Sequence, residues 1–197
     1  MKARKIALIA VYCVVIVVVV AIGYAVVGGV HQEFQLSCRP NCAGVDLSSI
    51  SLYRPYPSAD PEMGMLSINL REVDFREANL SQADLRGVSV RVCDFGGANL
   101  SNANLRDTDF AWANLAGADL SNAYMFKANL NDANLTGANL RGADLAQTYV
   151  IEADLTGADL TGANLKGARY SHATKWPEGF DPDQAGAVLL QTVVEAP

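Results

Sequence analysis

Nucleophilic, acid–base or metal chemistry needs particular side chains brought together, and this chain of 197 residues holds few candidates. Its two histidines, His31 and His172, stand near opposite ends of the sequence and form no pair at zinc-ligand spacing. No glycine-rich phosphate loop and no nucleophile elbow occurs. Of the four cysteines, Cys13 follows Tyr12 rather than a small residue, so no lipoprotein site is expected there, and Cys93 stands where alanine recurs in its neighbours, which predicts a buried, inert thiol. Cys38 and Cys42 flank Arg39-Pro40-Asn41. In an oxidising compartment a disulfide across this tight loop is expected to pin the entry to the fold; the competing reading makes Cys42 an inward-facing small residue. Two cysteines with no nearby histidine pair predict no metal site. The expectation is no catalytic, cofactor-binding or metal-binding residue, hence no enzyme.

The elements that carry these residues come in two materials. Ile6 to Val27 is a stretch of 22 residues with no charge. As a helix rising ~1.5 Å per residue it reaches roughly 33 Å, enough to cross a hydrocarbon core of about 30 Å. The run is longer than the apolar region of a signal peptide, and Ala21-Ile22-Gly23 is followed by more apolar sequence, so an uncleaved anchor is preferred to a cleaved leader. Lys2, Arg4 and Lys5 precede it, which places the N-terminus in the cytoplasm and the rest outside. Residues 30–197 then carry 12 basic and 21 acidic side chains, a balance of −9 that argues against binding nucleic-acid phosphates.

Past the anchor a five-residue period dominates. From Leu70 to Tyr170 every fifth residue is large and apolar, giving 21 units without an insertion. Two residues before each stands a small or medium residue, alanine in most units, with Ile68, Val73, Val88, Cys93, Thr108 and Thr148 as exceptions. Asn or Asp fills the place between them in most units. Five residues at about 100° each advance a helix by about 140°, so the large residues would scatter around an α-helix, and helix is excluded. Small and large positions two apart match strand alternation, and the remaining two places, rich in Gly, Ser, Thr, Asn, Arg and Lys, suit a turn. A unit this short buries nothing alone, so units must stack, about 4.8 Å apart, on others of the same kind.

The run Ala-(Asp/Asn)-Leu-x-x, verbatim at Ala113-Asn114-Leu115-Ala116-Gly117 and Ala138-Asn139-Leu140-Arg141-Gly142, strongly resembles the pentapeptide repeat proteins. The resemblance implies an all-β fold, a right-handed quadrilateral parallel β-helix with one pentapeptide per side and the Ala and Leu positions filling a narrow shaft. The 105 residues from 68 to 172 then make about five coils of 20, a rod of about 25 Å at ~4.8 Å per coil. Val45-Asp46-Leu47 and Ile50-Ser51-Leu52 look like further units, but Leu47 to Leu70 is 23 residues, so a loop marked by Pro55, Pro57 and Pro61 must interrupt the register. After Tyr170 the segment Thr174-Lys175-Trp176-Pro177-Glu178-Gly179-Phe180-Asp181-Pro182 resembles the closing sequence of cyanobacterial members, and Trp176 and Phe180 are expected to cap the shaft. The expected division is an anchor over 1–30, a juxtamembrane segment and N-terminal cap with Cys38 and Cys42 over 31–67, the β-helix over 68–172, and a C-terminal cap over 173–197.

With the interior filled, function is expected on the outside. Asx residues stacked at 20-residue intervals, such as Asn99, Asp119, Asn139 and Asp159, are read as a solvated ladder bonding locally rather than a cation site. One side, centred on Leu70, Val90, Phe110, Leu130, Val150 and Tyr170, holds most departures from Ala-Asx-Leu. Its outward and corner positions include Val92, Trp112, Tyr149 and Ile151, and the preceding side adds Tyr124 and Phe126 at the shared edge. These six predict a partner-binding patch on a polar rod; the competing reading has Trp112 and Phe126 covering one another or a cap. The expected function is a non-enzymatic, membrane-anchored scaffold or protein-interaction module displaying its rod in the periplasm or a thylakoid lumen, within a membrane-associated assembly, with lipid contacted through 6–27 and no nucleic-acid partner. The alternative implied by the resemblance is a DNA-mimicking, topoisomerase-binding protein of the quinolone-resistance type. A balance of only −4 over 71–169 and an external location weigh against it.

Overall fold

The computed structural model describes residues 42–44, 46–49, 51–52 and 70–190. The expected membrane span at 6–27 and the disulfide partner Cys38 lie outside the described residues. Among the described residues no helix is long and apolar enough to cross a membrane.

The five-residue units wind into a four-sided coil. Single parallel β-bridges join residues 20 apart, as in Asn79 with Asn99, Asp94 with Asn114 and Asn139 with Asp159, so each turn of four units lies directly on the next. We number the sides by their large apolar residues: side 1 carries Leu70, Val90, Phe110, Leu130, Val150 and Tyr170; side 2 Phe75 to Leu155; side 3 Leu80 to Leu160; side 4 Leu85 to Leu165. These residues and the alanines two places earlier face inward, and Ala98, Leu100, Leu105, Phe110, Leu120 and Leu130 have no exposed surface. Phe75 and Phe95 stack at 4.9 Å, and Phe110 meets Phe95 edge-on at 5.6 Å.

Every backbone N–H of a typical unit has an acceptor, which explains each position of the motif. In the unit centred on Phe95, the N–H groups of Phe95 and Gly97 donate to Asn114 and Ala116 of the next coil, and that of Asp94 to Val73 of the previous one. The Ala98 N–H closes the corner onto the Phe95 carbonyl at 2.9 Å. The fifth, on Gly96, donates to Oδ1 of Asp94 within the same unit at 3.0 Å. The Asx residue is therefore a local cap for its own corner. Its amide can also reach the neighbouring coil: Asn139 Nδ2 donates to Asp119 Oδ1 and Asn164 Nδ2 to Asp144 Oδ1. The ladder is locally satisfied, as expected from sequence.

The second corner residue of each unit holds positive φ. Glycine fills that place at eight positions of the rod from Gly87 to Gly167, while Glu77, Asn102, Val92 and Trp112 occupy it with φ between 55° and 61°.

Both ends depart from the period. Asp46 bridges Asn79 and Ser51 bridges Asp84, offsets of 33 rather than 20, so the first coil runs through Cys42, Leu47 and Leu52 on sides 2, 3 and 4 before Leu70 closes it on side 1. The interruption is an insertion at one corner, which leaves the stacking register intact. Cys42 sits over the side 2 column, its N–H donating to Asp74 O at 2.8 Å, and is buried at the shaft. At the other end Thr174 donates through Oγ1 to Val150 O at 2.8 Å, and one extra residue shifts the bridge from Asp154 to Lys175 to an offset of 21. Trp176 then follows where a side 2 apolar residue belongs. It meets Tyr170 edge-on at 5.5 Å and stacks on Phe180 at 5.3 Å, closing the shaft as expected. The chain returns so that β1 (Arg169–Tyr170) pairs in parallel with β2 (Val188–Leu189). Tyr170 OH donates to Asp183 Oδ1 at 2.7 Å, tying the cap to the last coil.

Candidate interaction surface

Cys93, Thr108 and Thr148 are polar side chains at inward positions of the rod. Cys93 replaces an alanine, donates through Sγ to Leu70 O at 2.7 Å, and burial pushes its thiol up to about 12. Thr108 and Thr148 occupy the same position and bond to the carbonyls of Leu85 and Leu145. Among the described residues no group of three or more His, Cys, Asp or Glu could hold a metal ion. His172 is exposed beside the C-terminal cap. A shallow polar groove at the corner after side 3 is lined by Ser121, Asn122, Asn139, Arg141 and Thr161, with Arg141 engaged by Asp159 at 3.1 Å.

Of the six outward residues singled out from sequence, four lie along the two separate edges of side 1 and two stand on flat faces. Val92 and Trp112 occupy the same corner position one coil apart, on the edge leading to side 2, and are 43% and 52% exposed. Ile151 lies two coils further along this edge, half-buried, with its N–H donating to Asn131 Oδ1 at 3.0 Å. Phe126 lies on the opposite edge, entering from side 4. Tyr124, 60% exposed, stands on the flat of side 4 instead of at the edge, in the column bridged to Asn104 and Asp144. Tyr149 stands on the flat of side 1. Among the described residues no ring contact joins any of these aromatics, so Trp112 and Phe126 do not cover one another.

Trp112, Phe126 and Tyr149 instead each have a cation of their own. Arg91 lies 4.3 Å over the Trp112 ring and is held by Asp109 at 3.0 Å. Phe126 sits between Arg106 at 5.1 Å and Lys127 at 5.3 Å, and Tyr149 packs against Arg169 at 5.2 Å, whose Nη1 donates to the phenol at 3.1 Å. The Phe126 edge is consequently basic. The Trp112 edge turns acidic below the indole, where Asp132 and Glu152 succeed Val92 and Trp112 in the same column. Among the described residues no ion pair engages either carboxylate.

The residues around the aromatics also lack the usual corner cap. Tyr124, Tyr149 and Ser89 replace Asx, so Phe126 and Ile151 have no side-chain acceptor within their own unit. A tyrosine at 124 removes a local hydrogen bond and adds exposed ring, the opposite of what folding alone favours. Sequence reasoning located the departures but missed their separation, because the two edges of one side face different directions. It also missed Val188, half-exposed on β2, and the carboxylates of Asp132 and Glu152, which look like ordinary corner residues until the column is assembled.

Compared with known families, residues 67–91, 93–132 and 133–169, just over half of the chain, match the family described as pentapeptide repeats, in eight copies. Among solved structures, the chain is similar to HetL, a pentapeptide repeat protein involved in heterocyst differentiation regulation from the cyanobacterium Nostoc sp. strain PCC 7120. The identity is 22% over 74% of this chain and 79% of that one, with a TM-score of 0.44. A second pentapeptide repeat protein from Nostoc PCC 7120 is 32% identical over 63% of this chain and 86% of that one, TM-score 0.38. Full-length QnrB1, a plasmid-mediated fluoroquinolone resistance protein, is 15% identical over 77% and 87%, TM-score 0.40. No curated protein matches.

Proposed function

Given that this chain belongs to the pentapeptide repeat family, whose members fold as right-handed β-helices, we propose that it is a non-enzymatic scaffold. In this reading residues 6–27 anchor it in a membrane, and its rod binds a protein partner outside the cytoplasm, in the periplasm or a thylakoid lumen. The observation that carries the reading is the contrast between the two surfaces. Inside, alanine and leucine are packed to little or no exposure, and the polar side chains Cys93, Thr108 and Thr148 at inward places are each bonded to a carbonyl. Outside, large apolar groups stand in water at Val92, Trp112 and Tyr124, in places where glycine or Asx would serve the fold better. Tryptophan and tyrosine beside a fixed arginine are the side chains that carry most binding energy at protein interfaces.

The test is position-resolved photocrosslinking in native membranes. A photoreactive amino acid placed at Trp112, Tyr124 or Phe126 gives a discrete protein adduct, and the same group at Gly137, on the plain corner after side 2, gives none. Equal labelling from every corner, or none from any, overturns the scaffold reading. Accessibility of the rod to an impermeant protease added from the outer side tests its placement.

A further inference from the structure

Resting on the scaffold reading, we propose that the corner column Val92–Trp112–Asp132–Glu152 is the docking ridge for an extended, basic segment of the partner, one that alternates apolar residues with Lys or Arg and runs along the rod axis.

The four side chains occupy the same corner place in four successive coils, all at positive φ between 58° and 61°. At ~4.8 Å per coil they span about 14 Å, and same-facing residues of an extended chain recur every ~6.6 Å, so three alternate side chains of one strand cover the ridge. Val92 and Trp112 offer the apolar half. One face of the indole rests against Arg91, whose charge Asp109 already balances at 3.0 Å, so the indole is held in place while 52% exposed. Ala111 beside it is fully covered, which makes the local floor rigid.

Charge complementarity selects the occupant. Asp132 and Glu152 are exposed and, among the described residues, neither carboxylate has a hydrogen bond or ion pair, unlike Asp74, Asp84, Asp109, Asp154 and Asp159, each paired with a Lys or Arg. Among the described residues Arg71 and Arg91 stand on this edge, and Arg91 is already balanced by Asp109. An incoming Lys or Arg finds two unclaimed carboxylates about one coil apart and directly below an apolar anchor, whereas an acidic segment is repelled and an uncharged one leaves both carboxylates unsatisfied. The opposite edge, with Arg106, Lys127 and Phe126, has the reverse sign and does not fit this segment.

The experiment titrates the full chain in non-ionic detergent with the peptide acetyl-Lys-Leu-Lys-Leu-Lys-amide, and separately with acetyl-Glu-Leu-Glu-Leu-Glu-amide, following the Trp112 indole N–H by NMR. The basic peptide is expected to shift the Trp112 signal saturably, leaving Trp176 unmoved, and the acidic one to leave both unmoved. Affinities of the variants are read by isothermal titration calorimetry, which does not depend on the indole signal: Trp112→Gly suits the positive φ there and keeps the fold, yet should weaken binding at least tenfold; the Asp132→Asn, Glu152→Gln pair should weaken it about tenfold, and Gln147→Ala should leave it unchanged. Binding that is equal for the two peptides, or indifferent to the carboxylate pair, overturns the proposal. If the adduct captured from position 112 maps to an acidic or uncharged partner segment, the basic-segment assignment fails while the scaffold stands. Absence of adducts from every position removes the scaffold reading itself.

Discussion

Lys175 Nζ lies 2.8 Å from Asp154 Oδ2, so the C-terminal cap is joined to the preceding coil by an ion pair as well as by backbone bonds. Lys175, followed by the Thr156 side chain and N–H, holds the Asp154 carboxyl down at about 2. A carboxyl lowered on folding stabilises the native state above its ordinary value of 3.8, and that contribution is lost as pH falls toward 2. Lys175→Met should therefore raise the Asp154 titration midpoint and move acid unfolding to higher pH. Carboxyl NMR titration and far-ultraviolet circular dichroism read the two effects. Asp159, also held near 2 but by Thr161 and Arg141, should titrate unchanged in the variant.

Val92→Gly and Trp112→Gly should each stabilise the rod. A left-handed conformation costs an L-residue about 1–2 kcal/mol, and glycine's extra unfolded-state freedom returns about 0.5–1 of that. The expected gain is up to about 1 kcal/mol per site by thermal unfolding. Gly117→Val, which puts a β-branched residue at φ 64°, should lose about 1–2 kcal/mol. Equal or lower stability in both glycine variants would mean that the exposed side chains pack usefully against Arg91.

Tyr124→Asn restores the Asx place that Asp144 fills in the next coil, where Oδ1 accepts the Ala146 N–H at 3.2 Å. With the Phe126 N–H capped again, stability should rise by about 1 kcal/mol. Crosslinking from position 126 should fall in the same variant if side 4 contributes to the interface.

The Cys93 thiol, held near 12 by burial, should resist alkylation at neutral pH until the rod unfolds. Because its proton is retained more tightly folded than unfolded, its contribution is intact below pH 9 and disappears as pH climbs toward 12. Cys93→Ala should remove that alkaline component from the pH–stability curve.

Leu120→Ala, in the middle of the shaft and fully buried, should cost about 2–5 kcal/mol. Leu160→Ala, near the cap and already 8% exposed, should cost less, since solvent can enter the space it leaves. Denaturant unfolding of the two variants gives the comparison.

The period of five was enough to place every inward side chain from Leu70 to Tyr170, because only two of five positions can face a shaft this narrow. It also exposed the break before Leu70. What sequence could not supply is three-dimensional order across corners. Leu52 to Leu70 is 18 residues, and only the 33-residue bridges show that they are neighbouring sides of one coil. Likewise Trp112 and Phe126 are 14 residues apart and flank one side, yet they point from different edges. Corner strain was invisible for a different reason: φ depends on the turn, and glutamate, glutamine, asparagine, valine and tryptophan occupy the strained place as well as glycine.

Because residues 20 apart are interchangeable in backbone role, excising or duplicating one block, such as 116–135, joins corner to equivalent corner and leaves both termini untouched. Each such edit changes the reach of the molecule by about 4.8 Å without rotating anything beyond it. Length is thereby a quantised, inheritable dimension, and two lineages could differ in how far apart they hold the same pair of contact points while sharing every other trait.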